Sequence, residues 1–169
     1  TSGTAAIVEF PGVLYRGGAE VKIRKYLIDN NYIDTVIQLP PDLFFGTTIA
    51  TCIVVLKKSK KDNKTLFIDA SAEFERGGNK NKLSDDNRKR ILNAFIYRKD
   101  EEYFAKLVDN KAIAGNDYNL AVSSYVIAKD NREVVDIKKL NTEIERIVLR
   151  QNELRNTIDE IVSDIEEKN

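Results

Sequence analysis

Apolar positions along this chain alternate between continuous runs and helical spacing, and each switch marks an element. Residues 3–10 form a short apolar run closed by Pro11-Gly12, the pattern of a strand and a turn. Val13, Leu14 and Tyr15 are apolar again, and Arg16-Gly17-Gly18 breaks the run. Across residues 19–30 the period changes. Ile23, Leu27 and Ile28 share one helical face, with Glu20, Lys22, Arg24, Lys25 and Asp29 on the other. Asn30-Asn31 supplies a stop, and Tyr32-Ile33 opens a strand that continues through residues 35–39. Residues 51–57 and 65–70 read as two more strands, joined by a polar, hairpin-like connection over residues 58–64. These runs are too apolar to alternate. They predict a sheet buried on both faces, hence a parallel βαβ unit.

After Ser71 the composition turns polar. Residues 73–83, centred on Gly77-Gly78-Asn79, read as an exposed loop. Ser84 is a good N-cap, with Asp85 and Asp86 in the first turn, where the helix dipole favours them. The helix it starts reaches about Arg98 and carries an apolar seam at Ile91, Leu92 and Phe95. Phe104, Leu107 and Val108 suggest a short packed segment, residues 115–121 a turn, and residues 123–127 a last strand. The final stretch has another period. Ile137, Leu140, Ile144, Ile147, Leu154, Ile158, Ile161 and Ile165 fall at alternating three- and four-residue steps, and only Gln151 interrupts the series. Apolar a and d positions sustained this way predict a coiled-coil helix about 43 Å long. The pattern divides the chain into residues 1–72, 73–128 and 129–169.

The stretch with the most unusual chemistry is residues 39–56. Pro40 and Pro41 cannot donate to a ladder, so they end the strand before them. Leu43, Phe44 and Phe45 then stand on a loop closed by Gly46, and the next strand follows within a few residues. Two aromatic rings on a strand-end loop either fill a core or stand at the rim, where α/β sheets put their sites. Asp69 also ends a strand and reads either as a ligand-holding rim residue or as a solvated, capping carboxylate.

The chain has no histidine and one cysteine. Ser/His and Cys/His catalysis and histidine-held metals are therefore excluded, and Cys52 reads as a small core residue. A lone cysteine without pairs implies a reducing, cytoplasmic compartment. No apolar run is long enough to span a membrane, and no secretory pattern occurs. There is neither a G-x-x-x-x-G-K-[ST] nor a G-x-G-x-x-G phosphate loop. The opening Thr1-Ser2-Gly3 and the absence of methionine lead to the expectation that the chain starts inside a longer protein.

Net charge is zero and names no partner, but residues 76–99 depart from it. Arg76, Lys80, Lys82, Arg88, Lys89, Arg90, Arg98 and Lys99 face only Asp85 and Asp86, a local net of plus six. Such a cluster is either a solvated surface or a phosphate-binding face.

Several segments together resemble the modification subunit of type I restriction–modification systems. They are AAIVEFPGVLYRGGAE (residues 5–20), IRKYL (23–27), VIQLPPDLFFGT (36–47), IATCIVVLKK (49–58), LFIDAS (66–71) and NDYNLAVSSYV (116–126). The likeness runs through nearly the whole chain in the family's own order. The resemblance implies an adenine-N6 DNA methyltransferase that uses S-adenosylmethionine and flips its target base out of the duplex. It also exposes what is missing. The family's glycine-rich cofactor loop and its Asn-Pro-Pro-Phe/Tyr motif precede this region. The Pro-Pro here follows Leu39, whose side chain cannot accept a hydrogen bond from an adenine amino group.

The fold expected from the resemblance is α/β: a partial Rossmann-like methyltransferase sheet, a small α-rich region packed on it, and a long C-terminal heptad helix. Phe44 matches the family's aromatic that packs on the extruded adenine, and Phe45 is its alternative. Arg76, Lys80, Lys82, Arg88, Lys89 and Arg90 are the candidate DNA contacts. Ile137, Leu140, Ile144, Ile147, Gln151, Leu154, Ile158, Ile161 and Ile165 would form a partner helix, or fold back on their own domain. Implied partners are DNA, the specificity and restriction subunits, and the N-terminal half of the same polypeptide. S-adenosylmethionine belongs to the complete enzyme; the chain alone is expected to bind no cofactor and to be inactive. The rival readings are a non-enzymatic helical assembly module and a DNA-binding adaptor.

Overall fold

The structure, a computed structural model, describes residues 2–128 and 136–166. Thr1, the first residues of the predicted third segment (129–135) and its last three (167–169) lie outside the described residues. The chain divides into two units, Thr1–Lys129 and Asp130–Asn169.

The first unit runs through β1 (Thr4–Glu9), α1 (Ala19–Asp29), β2 (Ile33–Gln38), β3 (Cys52–Lys57), β4 (Lys64–Asp69), β5 (Glu75–Gly77) and β6 (Lys80–Lys82). It continues through α2 (Asp85–Tyr97), β7 (Ala105–Asp109) and α3 (Asn110–Gly115), with 3-10 turns at Pro11–Leu14 and Val122–Ser124. Five strands make one sheet in the order β1-β3-β2-β4-β7. The sheet is mixed, not parallel. β2 and β4 run parallel, whereas β3 is antiparallel to both β1 and β2, and β7 is antiparallel to β4. A parallel pair needs a crossover, usually a helix. The link from β2 to β3 contains none, so β3 turns back along β2. β1 and β2, which α1 does join, keep a common direction with β3 inserted between them.

The apolar runs misled on direction because central strands of a mixed sheet are also covered on both sides. Val36, Cys52, Val54 and Phe67 pack with Ile28 of α1 and Ile113 of α3. Ile37, Leu66 and Ile68 pack on the opposite side, against Ile91, Ala94 and Phe95 of α2. β1 departs from the expected two-sided burial. It is an edge strand, and all six of its residues are exposed.

The expected turn at Pro11-Gly12 is a 3-10 turn that takes in Val13 and Leu14. Other expectations need correction. Residues 58–64 do not close a hairpin, because β2 lies between the strands they connect. Residues 123–127 form no strand. The 3-10 turn there seats Val122 and Val126 in the core, and Tyr125 stacks on Phe67 with ring centres 4.3 Å apart. The last strand is instead β7, so residues 73–128 both pack on the sheet and extend it. α2 follows its predicted course. The Ser84 side chain accepts from the Asn87 N–H, and the Asn87 side chain accepts from the Ser84 N–H, a reciprocal box that satisfies two orphan donors.

The second unit is α4 (Ile137–Glu166), 30 residues long. Asp136 starts it by accepting from the backbone N–H groups of Lys138 and Lys139 at 3.0 and 3.2 Å. The whole heptad series, Gln151 included, is exposed. Among the described residues, no helix is long and apolar enough to cross a membrane.

Candidate functional site

Residues 39–51 leave the end of β2 and return to the start of β3, and the two ends of this loop are tied to each other. The Leu39 N–H donates to the Thr51 carbonyl at 2.9 Å, and the Gln38 amide donates to the same oxygen at 3.1 Å. Pro40 is fully buried and stops the ladder. Asp42 follows Pro41 with φ at +59°, a left-handed conformation that Asp tolerates better than most residues. Gly46, at φ +80°, makes the second reversal, where a Cβ would be strained. Between the two reversals, Leu43 packs beneath the sheet with Ile37 and Leu39. Phe44 is 40% exposed and Phe45 99% exposed. The rings therefore stand at the surface and do not fill a core. A ring as open as Phe45 gains little from burial, so folding alone gives no reason for it. At the foot of the loop, the buried Thr51 hydroxyl has no hydrogen-bond partner among the described residues.

The segment read as an exposed loop, residues 73–83, is an antiparallel hairpin of β5 and β6. Gly78, at φ +66°, takes the first position of its two-residue turn with Asn79, where primed turns demand positive φ. The hairpin grips the aromatic loop. Asn81, 4% exposed, donates its side-chain amide to the Pro41 carbonyl at 2.8 Å and its backbone N–H to the Asp42 carbonyl at 3.0 Å. Lys80 Nζ pairs with Asp42 Oδ1 at 2.8 Å and also donates to the Thr47 carbonyl at 3.1 Å. Arg76 Nη1 reaches Asp42 Oδ2 at 3.0 Å and Asn81 Oδ1 at 3.1 Å. Hydrogen bonds from Lys80, and secondarily from Arg76, hold the Asp42 carboxyl below the usual carboxylate range.

The basic cluster is thus largely spoken for. Arg88 and Lys89 pair with Asp85 and Asp86 one turn back in α2. Arg90 pairs with both Glu73 and Glu101 and lies 4.0 Å above the Phe104 ring. Arg98 caps α2 in a left-handed conformation, φ +49°, and turns inward to Asp34 at 2.9 Å. Lys82 and Lys99 are the two members without an ion-pair partner among the described residues. The surplus of charge seen locally in sequence is offset by carboxylates from distant segments. Asp69 caps its own strand end, accepting from the Ser71 N–H at 3.0 Å. Among the described residues, no group of three or more His, Cys, Asp or Glu side chains could hold a metal ion.

A family model described as N-6 DNA Methylase matches residues 1–134. The chain belongs to the N-6 DNA methylase family. It is 49% identical over 164 residues to the type I restriction enzyme MpnII methylase subunit of Mycoplasma pneumoniae, a match covering 96% of this chain and 30% of that protein. It is 36% identical over 166 residues to the MjaVII methylase subunit of Methanocaldococcus jannaschii, covering 95% and 28%. Among solved structures, the type I restriction-modification methyltransferase subunit from Streptococcus thermophilus superposes with a TM-score of 0.72 at 47% identity. That match covers 73% of this chain and 26% of that one. The chain therefore spans less than a third of the length of the methylase relatives it matches. The matched region contains the aromatic loop, its hairpin and the whole sheet of this N-6 DNA methylase fold.

Proposed function

We propose that this chain is the part of a type I restriction-modification methyltransferase subunit that forms one wall of the target-base pocket. The reaction of the complete enzyme is transfer of a methyl group to adenine N6 in DNA. The observation that carries this reading is the display of Phe44 and Phe45 on a fastened loop at the sheet rim, in a chain of the N-6 DNA methylase family. A base rotated out of the duplex loses its stacking neighbours. An aromatic face replaces part of that loss, about 1–3 kcal/mol per base. Phe44, the less exposed of the two rings, is the better platform, and Phe45 is the alternative.

S-adenosylmethionine supplies the methyl group when the enzyme is complete. The residues here do not fit it, since the chain has no glycine-rich loop and no Asn-Pro-Pro-Phe/Tyr motif. No cofactor or catalytic residue is therefore assigned to this chain. The free edge of β1 is where the rest of a Rossmann-like sheet continues. Its exposed Ile7 and Val8 suit a strand and a layer contributed from elsewhere in the polypeptide. Lys82 and Lys99, without an ion-pair partner among the described residues, and the exposed Arg88 and Lys89 of α2 are the candidates for phosphate contact from the basic cluster. α4 is the docking helix for the specificity subunit, its heptad positions exposed and apolar along the helix. The restriction subunit joins the same cytoplasmic assembly on DNA. The test is a methyl-transfer assay of the complete subunit with its specificity subunit: Phe44→Ala must lower transfer to the target adenine while S-adenosylmethionine binding survives.

A further inference from the structure

We infer that the β5–β6 hairpin is a clamp that positions the aromatic loop, and that Lys80, Arg76 and Asn81 act on the reaction through that loop, not by touching DNA. The inference rests on the base-pocket reading of Phe44. The clamp closes around Asp42. Its two carboxylate oxygens are taken by two cations of the hairpin, Lys80 at 2.8 Å and Arg76 at 3.0 Å. Its backbone carbonyl and that of Pro41 are taken by Asn81. Lys80 bridges further to the Thr47 carbonyl, beyond the two rings. The loop is thus gripped on both sides of Phe44 and Phe45. A stacking platform works only if it is already in place when the base arrives. Misplacement by about 1 Å can cost about a hundredfold in rate. A hairpin of two three-residue strands has no core of its own, and its Arg76, Lys80 and Asn81 side chains reach the loop.

The test has two arms. In the intact chain, hydrogen exchange of the Asp42 and Asn81 amides, which donate to the Thr48 and Asp42 carbonyls, is compared for the parent, Lys80→Gln and Asn81→Ala. Exchange faster by about tenfold or more in both variants, with β2 and β4 unchanged, supports the clamp. Parental protection in both overturns it, however Phe44→Ala behaves. In the complete methyltransferase, Lys80→Gln is expected to lower kcat by about tenfold while DNA affinity and its salt dependence stay parental, with Lys80→Arg restoring the rate. A loss of DNA affinity with a shallower salt slope overturns the inference, because Lys80 would then be a phosphate contact. Parental methylation by Phe44→Ala, with the exchange arm positive, rejects the base-pocket reading and leaves the clamp standing.

Discussion

Lys80 Nζ lies 2.8 Å from Asp42 Oδ1, although 38 positions separate the two residues. The pair ties a hairpin to a loop, and its strength depends on the Asp42 charge. The carboxyl is held below its ordinary value of 3.8 by hydrogen bonds from Lys80 and then Arg76. A carboxylate depressed in the folded state contributes stability that is fully present above the ordinary value. That contribution is lost only as pH falls through the depressed one. Loop protection should therefore persist as pH is lowered from about 5 to about 4 and fall below that. Asp42→Asn keeps the left-handed backbone and should abolish the pH step. Exchange of the Asp42 and Asn81 amides measured against pH checks this; release already near pH 5 would contradict it.

Asp34 and Arg98 form a further long-range pair. Asp34 is 4% exposed, and it accepts from both Arg98 and the Thr35 hydroxyl. Removing one partner of a buried pair leaves the other charge uncompensated. Asp34→Ala should cost about 3 kcal/mol in urea unfolding, the low end for such a break because Arg98 keeps some solvent. Arg98 also donates to the Lys64 carbonyl, so the loss should loosen the C-terminal end of α2 first. A cost below about 0.5 kcal/mol, the level of an exposed pair, would refute this account of Arg98.

Cys52 is fully buried between β1 and β2, and its thiol donates to the Glu9 carbonyl at 3.4 Å. Burial, with the Glu9 charge adding to it, pushes the thiol up to about 11. At about pH 8 only about one thiol in a thousand is ionised, and the sheet blocks access. Iodoacetamide should leave the folded protein unmodified and label it fully in denaturant, as read by mass spectrometry. Rapid labelling of the folded chain would mean that β1 opens easily.

Much of this fold is legible in the sequence where the signal is local. The helical spacing of residues 19–30 specifies α1 but not its buried face, since Ile23 is exposed and Arg24 is buried, donating to the Tyr118 and Val13 carbonyls; the Ser84 cap specifies where α2 begins. Strand direction is not local. The run at residues 51–57 is the same whether its strand lies parallel or antiparallel, and only the absence of a crossover helix decides it. The Gly78-Asn79 pair is a hairpin signal, but its flanks, Arg76 and Lys80 among them, are polar and resemble a loop. Those flanks are polar because their partner is a carboxylate and not a core. The same non-locality hid the state of the basic cluster. Asp34 and Asp42 stand far from residues 76–99 in sequence and beside them in space. The exposure of Phe44 and Phe45 was open in sequence, because a ring on a Pro/Gly loop is equally at home inside.

For α4, the expected behaviour follows from its exposed apolar stripe. Ile144→Asp and Ile158→Asp each place a charge on that stripe. Both should disrupt co-purification with the specificity subunit while the sheet unit stays soluble and folded. Undiminished co-purification of both variants would mean that the stripe is not the docking face.

The central claim is that Phe44 replaces the stacking lost by an extruded adenine. It is tested most directly by placing 2-aminopurine at the target position and following its fluorescence with the complete enzyme. Phe44→Ala should abolish most of the fluorescence gain and slow methyl transfer by about tenfold or more, in line with the loss of about 1–3 kcal/mol of stacking. Base extrusion and transfer at parental levels in a folded Phe44→Ala enzyme would contradict the account.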